Sequence, residues 1–162
     1  FTDSKDVTNT VTFGNVKISL EEPNFNKDGG GTTNTLTGVE PGETFTKDPT
    51  ITNKGTNDAW IRAKIDVTLP AEGVEEPTYD IKDGWTDGGD GYYYYKDKLT
   101  KDNKQVKLFE NVTIPGSWTN DVSEGQLKID VTAEALQADN NGSANNAELW
   151  NGVEVKEAKE AE

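Results

Sequence analysis

Cysteine, methionine and histidine are all missing from this chain of 162 residues. Without cysteine there is no disulfide framework and no thiolate zinc site. Without histidine there is no HExxH pair to hold a zinc ion and no imidazole base to activate a serine, and no G-x-S-x-G elbow is present. The absent sulfur side chains are the two most easily oxidised, which suits a place outside the cell. The first residue is Phe1 and not methionine, so we expect a processed or trimmed chain, with a removed signal peptide as one explanation.

Apolar residues are also scarce, at 31%. No run approaches the about 20 residues that a spanning helix needs, so no membrane span is expected. Basic side chains number 16 against 30 acidic ones, for a net charge of −14. Such a surface repels a phosphate backbone and an anionic bilayer, so nucleic acid is not an expected partner. The composition borders on that of disordered chains. Against disorder stand four Trp, five Tyr, five Phe and several cleanly alternating segments, which read as one ordered domain with polar loops.

The acidic excess supplies no enzyme signature. Among 30 carboxylates some pair meets glycosidase spacing by chance. Asp87-Gly88-Gly89-Asp90-Gly91 and Asp139-Asn140-Asn141-Gly142 offer oxygen ligands, yet neither follows the calcium-loop pattern, and both read as turns. No catalytic residue, metal ligand or cofactor is assigned, and the chain is not expected to be an enzyme.

What the sequence does hold is β-structure. In Lys47–Leu69, KDPTITNKGTNDAWIRAKIDVTL, the residues Ile61, Ala63, Ile65, Val67 and Leu69 alternate with Arg62, Lys64, Asp66 and Thr68. That period of two predicts a long strand over a core, preceded by a short strand at Thr50–Thr52 and a turn at Asn53–Asp58. A second long strand is predicted over Gly125–Ala135, with Leu127, Ile129, Val131, Ala133 and Ala135 on one face, as sheet mate of the first or its partner across the core. Leu108, Phe109, Val112 and Ile114 predict another strand, and Trp150, Val153 and Val155 a last edge strand. The turn between Trp85 and Tyr92-Tyr93-Tyr94-Tyr95 is glycine-rich and reads as a hairpin, with two tyrosines on each face. Trp85 and these tyrosines are candidate partner-facing aromatics, against a reading in which they pack the core and the hairpin. Short strands, Gly/Pro/Asn turns and no amphipathic helix predict an all-β, jelly-roll-like β-sandwich with long loops.

The N-terminus stands apart. Val7, Asn9, Val11 and Phe13 alternate in one register, Val16, Ile18 and Leu20 in another, and Gly14 separates them. The change of register predicts a bend, a bulge or a strand that leaves its own domain. The organisation expected is residues 1–13 as an N-terminal strand, 14–155 as one β domain and 156–162 as a charged, frayed tail.

KDPTITNKGTNDAWIRAKIDVTL, GWTDGGDGYYYYKDKL and the strand leading into VTAEALQAD resemble the TasA and camelysin family of secreted biofilm-matrix proteins. Phe1-Thr2-Asp3 resembles the start of that family's mature chain, after cleavage by a dedicated type of signal peptidase. The resemblance runs to about Asp139 and leaves out the Gly29–Gly31 loop and the segment after Trp150. It implies a secreted structural subunit of the extracellular matrix or cell surface. Its partners would be further copies of itself, joined head to tail by a donated N-terminal strand, with room for an accessory matrix protein. Carried onto this chain, the polymerisation strand would comprise Phe1, Thr2, Val7, Asn9, Val11 and Phe13, with Gly14 as hinge. The alternative is a monomeric cell-surface adhesion module that binds glycan or host protein through the aromatic face.

Overall fold

A computed structural model of the chain describes residues 2–3, 8–13, 16–25, 27, 35–102, 104–138, 142–153 and 158–159. Its strands begin with β1 (Thr2–Asp3), β2 (Thr8–Phe13), β3 (Val16–Glu21), β4 (Thr35–Leu36), β5 (Thr44–Thr46), β6 (Thr50–Asn53) and β7 (Ala59–Thr68). They continue with β8 (Thr78–Tyr79), β9 (Trp85–Asp87), β10 (Tyr93–Tyr95), β11 (Gln105–Lys107) and β12 (Asn111–Thr113). The one-turn helix α1 (Asn120–Ser123), β13 (Leu127–Gln137), a 3-10 turn at Ala147–Trp150 and β14 (Ala158–Lys159) complete the order. The fold is all-β. Every strand pairing is antiparallel. One sheet runs β1-β2-β3-β6-β11, a second runs β14-β13-β7-β10-β9 with β4 also on β13, and a third runs β5-β12-β8. Among the described residues no sheet closes into a barrel.

β7 and β13 are the spine, paired residue for residue from Ala59↔Gln137 to Thr68↔Lys128. The two long alternating segments are therefore sheet mates. Their shared face buries Ile61, Ala63, Leu127, Ile129, Val131, Ala133 and Ala135, and Val16, Ile18, Leu20 and Ile51 of the first sheet enter the same core. Burying one such Ile or Leu contributes about 1.5–3 kcal/mol, so an acid at Ile129 would break the core where the sheets meet.

Two predicted continuities divide in space. Thr50–Asn53 does not form a hairpin with β7: it is an interior strand of the first sheet, between β3 and β11. Buried Asn53 fixes the crossing between sheets. Its Nδ2 donates to the carbonyls of Asn57 and Leu99, each at 2.9 Å, and its Oδ1 accepts the Gly55 amide at 2.9 Å. Likewise the strand predicted through Leu108–Ile114 is shortened to Asn111–Thr113, and the chain changes sheet just before it. β11 edges the first sheet, β12 lies in the third, and Leu108 and Phe109 turn inward between them, fully buried. Asp80 holds that break, accepting the amides of Glu110 at 2.8 Å and Asn111 at 2.7 Å and the Asn111 side chain at 3.1 Å.

The C-terminal part differs from expectation as well. Ala147–Trp150 is a 3-10 turn and not an edge strand, Val153 is exposed, and Val155 lies outside the described residues. β14, within the segment read as a frayed tail, pairs Ala158 with Ala133 and Lys159 with Thr132. The open edge of β13 is the physical reason, since its amides and carbonyls need partners. α1 is too short to show periodicity. It is marked only by its cap, the Thr119 hydroxyl accepting the Val122 amide.

Candidate functional site

Three places bear on function: the N-terminal edge, the outer aromatic face and a buried charge cluster. At the edge, β2 lies on β3 with Asn9↔Leu20, Val11↔Ile18 and Phe13↔Val16 as backbone partners. A two-residue connection joins them, so the two registers read from the sequence belong to two antiparallel strands of one sheet in one chain. On its other side β2 pairs, among the described residues, with β1, through Thr2↔Asn9 and Asp3↔Thr8. Thr2, Asn9, Val11 and Phe13 are thus together at one sheet edge, while Phe1, Val7 and hinge residue Gly14 lie outside the described residues. β14, the edge strand of the second sheet, lies near β2 and β3 of the first.

On the outer face the register builds a row. Arg62 pairs with Glu134 of β13 and with Tyr94 of β10, so strand alternation stands all three on the side away from the core. Arg62 Nε donates to Glu134 at 2.6 Å, Arg62 Nη1 to the Tyr94 hydroxyl at 3.3 Å, and that hydroxyl donates to Asp90 at 2.5 Å. The guanidinium lies 3.9 Å from the Tyr92 ring centre and 4.5 Å from that of Trp150. Burial opposes the charge of Arg62, but the bonds to Tyr94 and Glu134 outweigh it and hold its pKa above the ordinary range. Burial and the bond to Asp90 raise the Tyr94 hydroxyl.

Asn145, just before the 3-10 turn and not among the residues singled out from the sequence, locks Trp150 onto this face. Its Nδ2 donates to the carbonyls of Ile61 at 2.7 Å and Tyr95 at 2.9 Å, and its Oδ1 accepts Trp150 Nε1 at 2.7 Å. Tyr93, Tyr95 and Trp85 pack on the main core, where Trp85 donates to the Lys107 carbonyl at 3.0 Å. Trp85 and Tyr94 are buried, which leaves Tyr92, Tyr93 and Tyr95 as the partly accessible aromatics of the predicted set. The cation between the rings is the chain's own Arg62, so this face is already filled by its own residues.

The third place carries residues that sequence reading did not single out. Lys47, between β5 and β6, is fully buried, and its Nζ donates to Glu22 Oε2 at 2.9 Å. The Phe25 ring centre lies 4.4 Å from that nitrogen. Neighbouring Asp48 accepts the backbone amide of Asn24 at 2.9 Å, its side chain at 2.8 Å and Lys107 Nζ at 2.7 Å. The segment after β3 is therefore stapled to the segment before β6. Burial pushes the Glu22 carboxyl up and the Lys47 amine down, because each loses the water that would support its charge. The other oxygen, Glu22 Oε1, is buried with no hydrogen-bond partner. The available signal was a Lys-Asp-Pro triplet entering a β-branched run, where charge is unusual at the mouth of an interior strand.

Compared with family models, curated proteins and solved structures, the chain matches none.

Proposed function

We propose that this chain is a secreted structural subunit which polymerises head to tail into extracellular matrix fibres by exchanging its N-terminal strand. The carrying observation is that, among the described residues, β2 pairs over Asn9–Phe13 with β3, two residues on in the chain, and otherwise only with the two residues of β1. Opening at Gly14–Asn15 would leave the outer edge of β3 unpaired, and the same segment of a neighbour can restore each main-chain bond in the same register. Closed monomer and polymer then differ little in contacts, and concentration decides between them. Because the donor of one subunit enters the acceptor of the next, the contact is heterologous and extends without closing. In this reading the domain is a jelly-roll-like sandwich completed by a strand from outside, and the resemblance to the TasA and camelysin family supports it.

The test is a reversible lock. Thr10 and Ser19 are direct cross-strand partners, within the Cα spacing that a disulfide bridges, and the natural chain has no cysteine to interfere. The variant carrying Thr10→Cys and Ser19→Cys should stay as single particles by negative-stain electron microscopy when oxidised and form fibres when reduced. Fibres in both states, or fibres from a chain lacking residues 1–12, place the contact elsewhere and overturn the proposal.

A further inference from the structure

We propose that Lys47 and Glu22 become joined by an intramolecular isopeptide bond that forms within the folded chain without any other enzyme. The geometry is that of a reactive pair sealed from solvent. The amine is 0% exposed, the carboxylate 5%, and they meet at 2.9 Å. The buried Phe25 ring lies beside the amine, its centre 4.4 Å from Nζ, and the Asn24–Asp48–Lys107 bonds hold the two segments in place, so approach and orientation are settled before reaction. Water, which would compete for the carboxyl carbon and support the ion pair, is excluded.

The steps balance. A proton passes from the Lys47 ammonium to the Glu22 carboxylate along the existing hydrogen bond and leaves a neutral amine and a neutral acid. Burial favours this neutral pair, as the opposite shifts of the two groups indicate. The Nζ lone pair then attacks Glu22 Cδ. The Nζ–Cδ bond forms, the Cδ–O bond breaks, and the departing hydroxyl takes one proton from nitrogen. The products are a secondary amide and one water, with nothing oxidised or reduced. Glu22 Oε2, which received the proton, leaves as the hydroxyl, and Oε1, which has no hydrogen-bond partner among the described residues, stays as the oxygen of the new amide.

The bond would close residues 22–47 into a covalent ring that contains the Gly29–Gly31 loop. A protease cutting in that loop would then nick the chain without separating the N-terminal strand from the rest. This consequence is independent of polymerisation and holds for a monomer.

The deciding experiment is the intact mass of the purified full chain under denaturing conditions, followed by peptide mapping. The expected mass is one water below that of the sequence, with one branched peptide joining Glu22 to Lys47. Glu22→Ala and Lys47→Met should each restore the full sequence mass. A wild-type chain at full mass, still unchanged after prolonged incubation in the folded state, overturns the proposal and leaves a plain buried ion pair. A water loss mapped to any other residue overturns it as well. Both of these readouts come from the wild type, so the outcome does not depend on whether the variants fold.

Discussion

Buried Lys47 and half-buried Arg62 are held away from water in different ways, and the contrast shows what each side chain is suited to. Lys47 is a compact point charge buried in the core and paired with Glu22, one oxygen of whose carboxylate has no hydrogen-bond partner among the described residues. Arg62 is a planar fork at the outer face, 15% exposed, held edge-on by Glu134 and Tyr94 and covered by Tyr92 and Trp150. The guanidinium satisfies several neighbours at once and keeps its charge, while the desolvated ammonium is driven toward neutrality. The Arg62 arrangement is stable architecture, and the Lys47 pair is the one we propose to react.

The largest expected effect comes from breaking the deeper pair. Lys47→Ala leaves the Glu22 carboxyl buried without its amine and should lower stability by about 3–5 kcal/mol in urea unfolding. Replacing both by Glu22→Leu and Lys47→Met should return the part of that loss that comes from the unpaired charge, because an apolar pair needs no compensating charge. A single-variant loss no greater than that of a surface charge would refute the depth assigned to this pair.

A smaller effect is expected at the outer face. Arg62→Ala strands Glu134, whose side chain is 5% exposed, and should lower stability by about 2–3 kcal/mol. Arg62→Lys keeps the charge but loses the planar fork between the rings, and should lose about 1 kcal/mol. Equal losses for Ala and Lys would show that charge alone is not what this cluster uses.

The smallest effect belongs to Asp80, an exposed carboxylate that sets the limit of the series. Burial would raise its pKa, but the Asn111 and Glu110 amides and the Asn111 side chain outweigh this and hold it below 3.8. A depressed folded pKa contributes stability above the unfolded value and loses it as pH falls through the folded one. Urea midpoints of wild type and Asp80→Ala should therefore differ at neutral pH and converge in acid below pH 3.8. A gap constant with pH would mean that the carboxylate charge is not what closes the β11–β12 break.

Much of the fold was legible because strand alternation is a local signal. The faces of β7 and β13 and the hairpin from Trp85 to Tyr95 follow from residues two apart and from a glycine-rich turn. The change of sheet at Leu108–Phe109 and the assignment of Thr50–Asn53 to another sheet were not legible. They depend on Asp80 and Asn53 capping backbone groups from segments distant in sequence. The candidate sites followed the same division. The N-terminal strand was visible from its change of register at Gly14, but Asn145 and the Glu22–Lys47 pair were not. An asparagine in a turn-rich segment, or a lysine before a strand, carries no mark of burial until the partner arrives from elsewhere in the chain.

The sequence by itself determined the class of the protein. Absent His and Cys, an excess of carboxylates and strict period-two segments specify an acidic all-β chain with no histidine- or thiol-based chemistry. Only the tertiary structure decided which strands share a sheet, which tyrosines meet Arg62, and that Lys47 and Glu22, 25 residues apart, face one another away from water. Alternation says which way a side chain points. Register and packing between distant segments decide what it meets there, and that meeting sets its charge state and its chemistry.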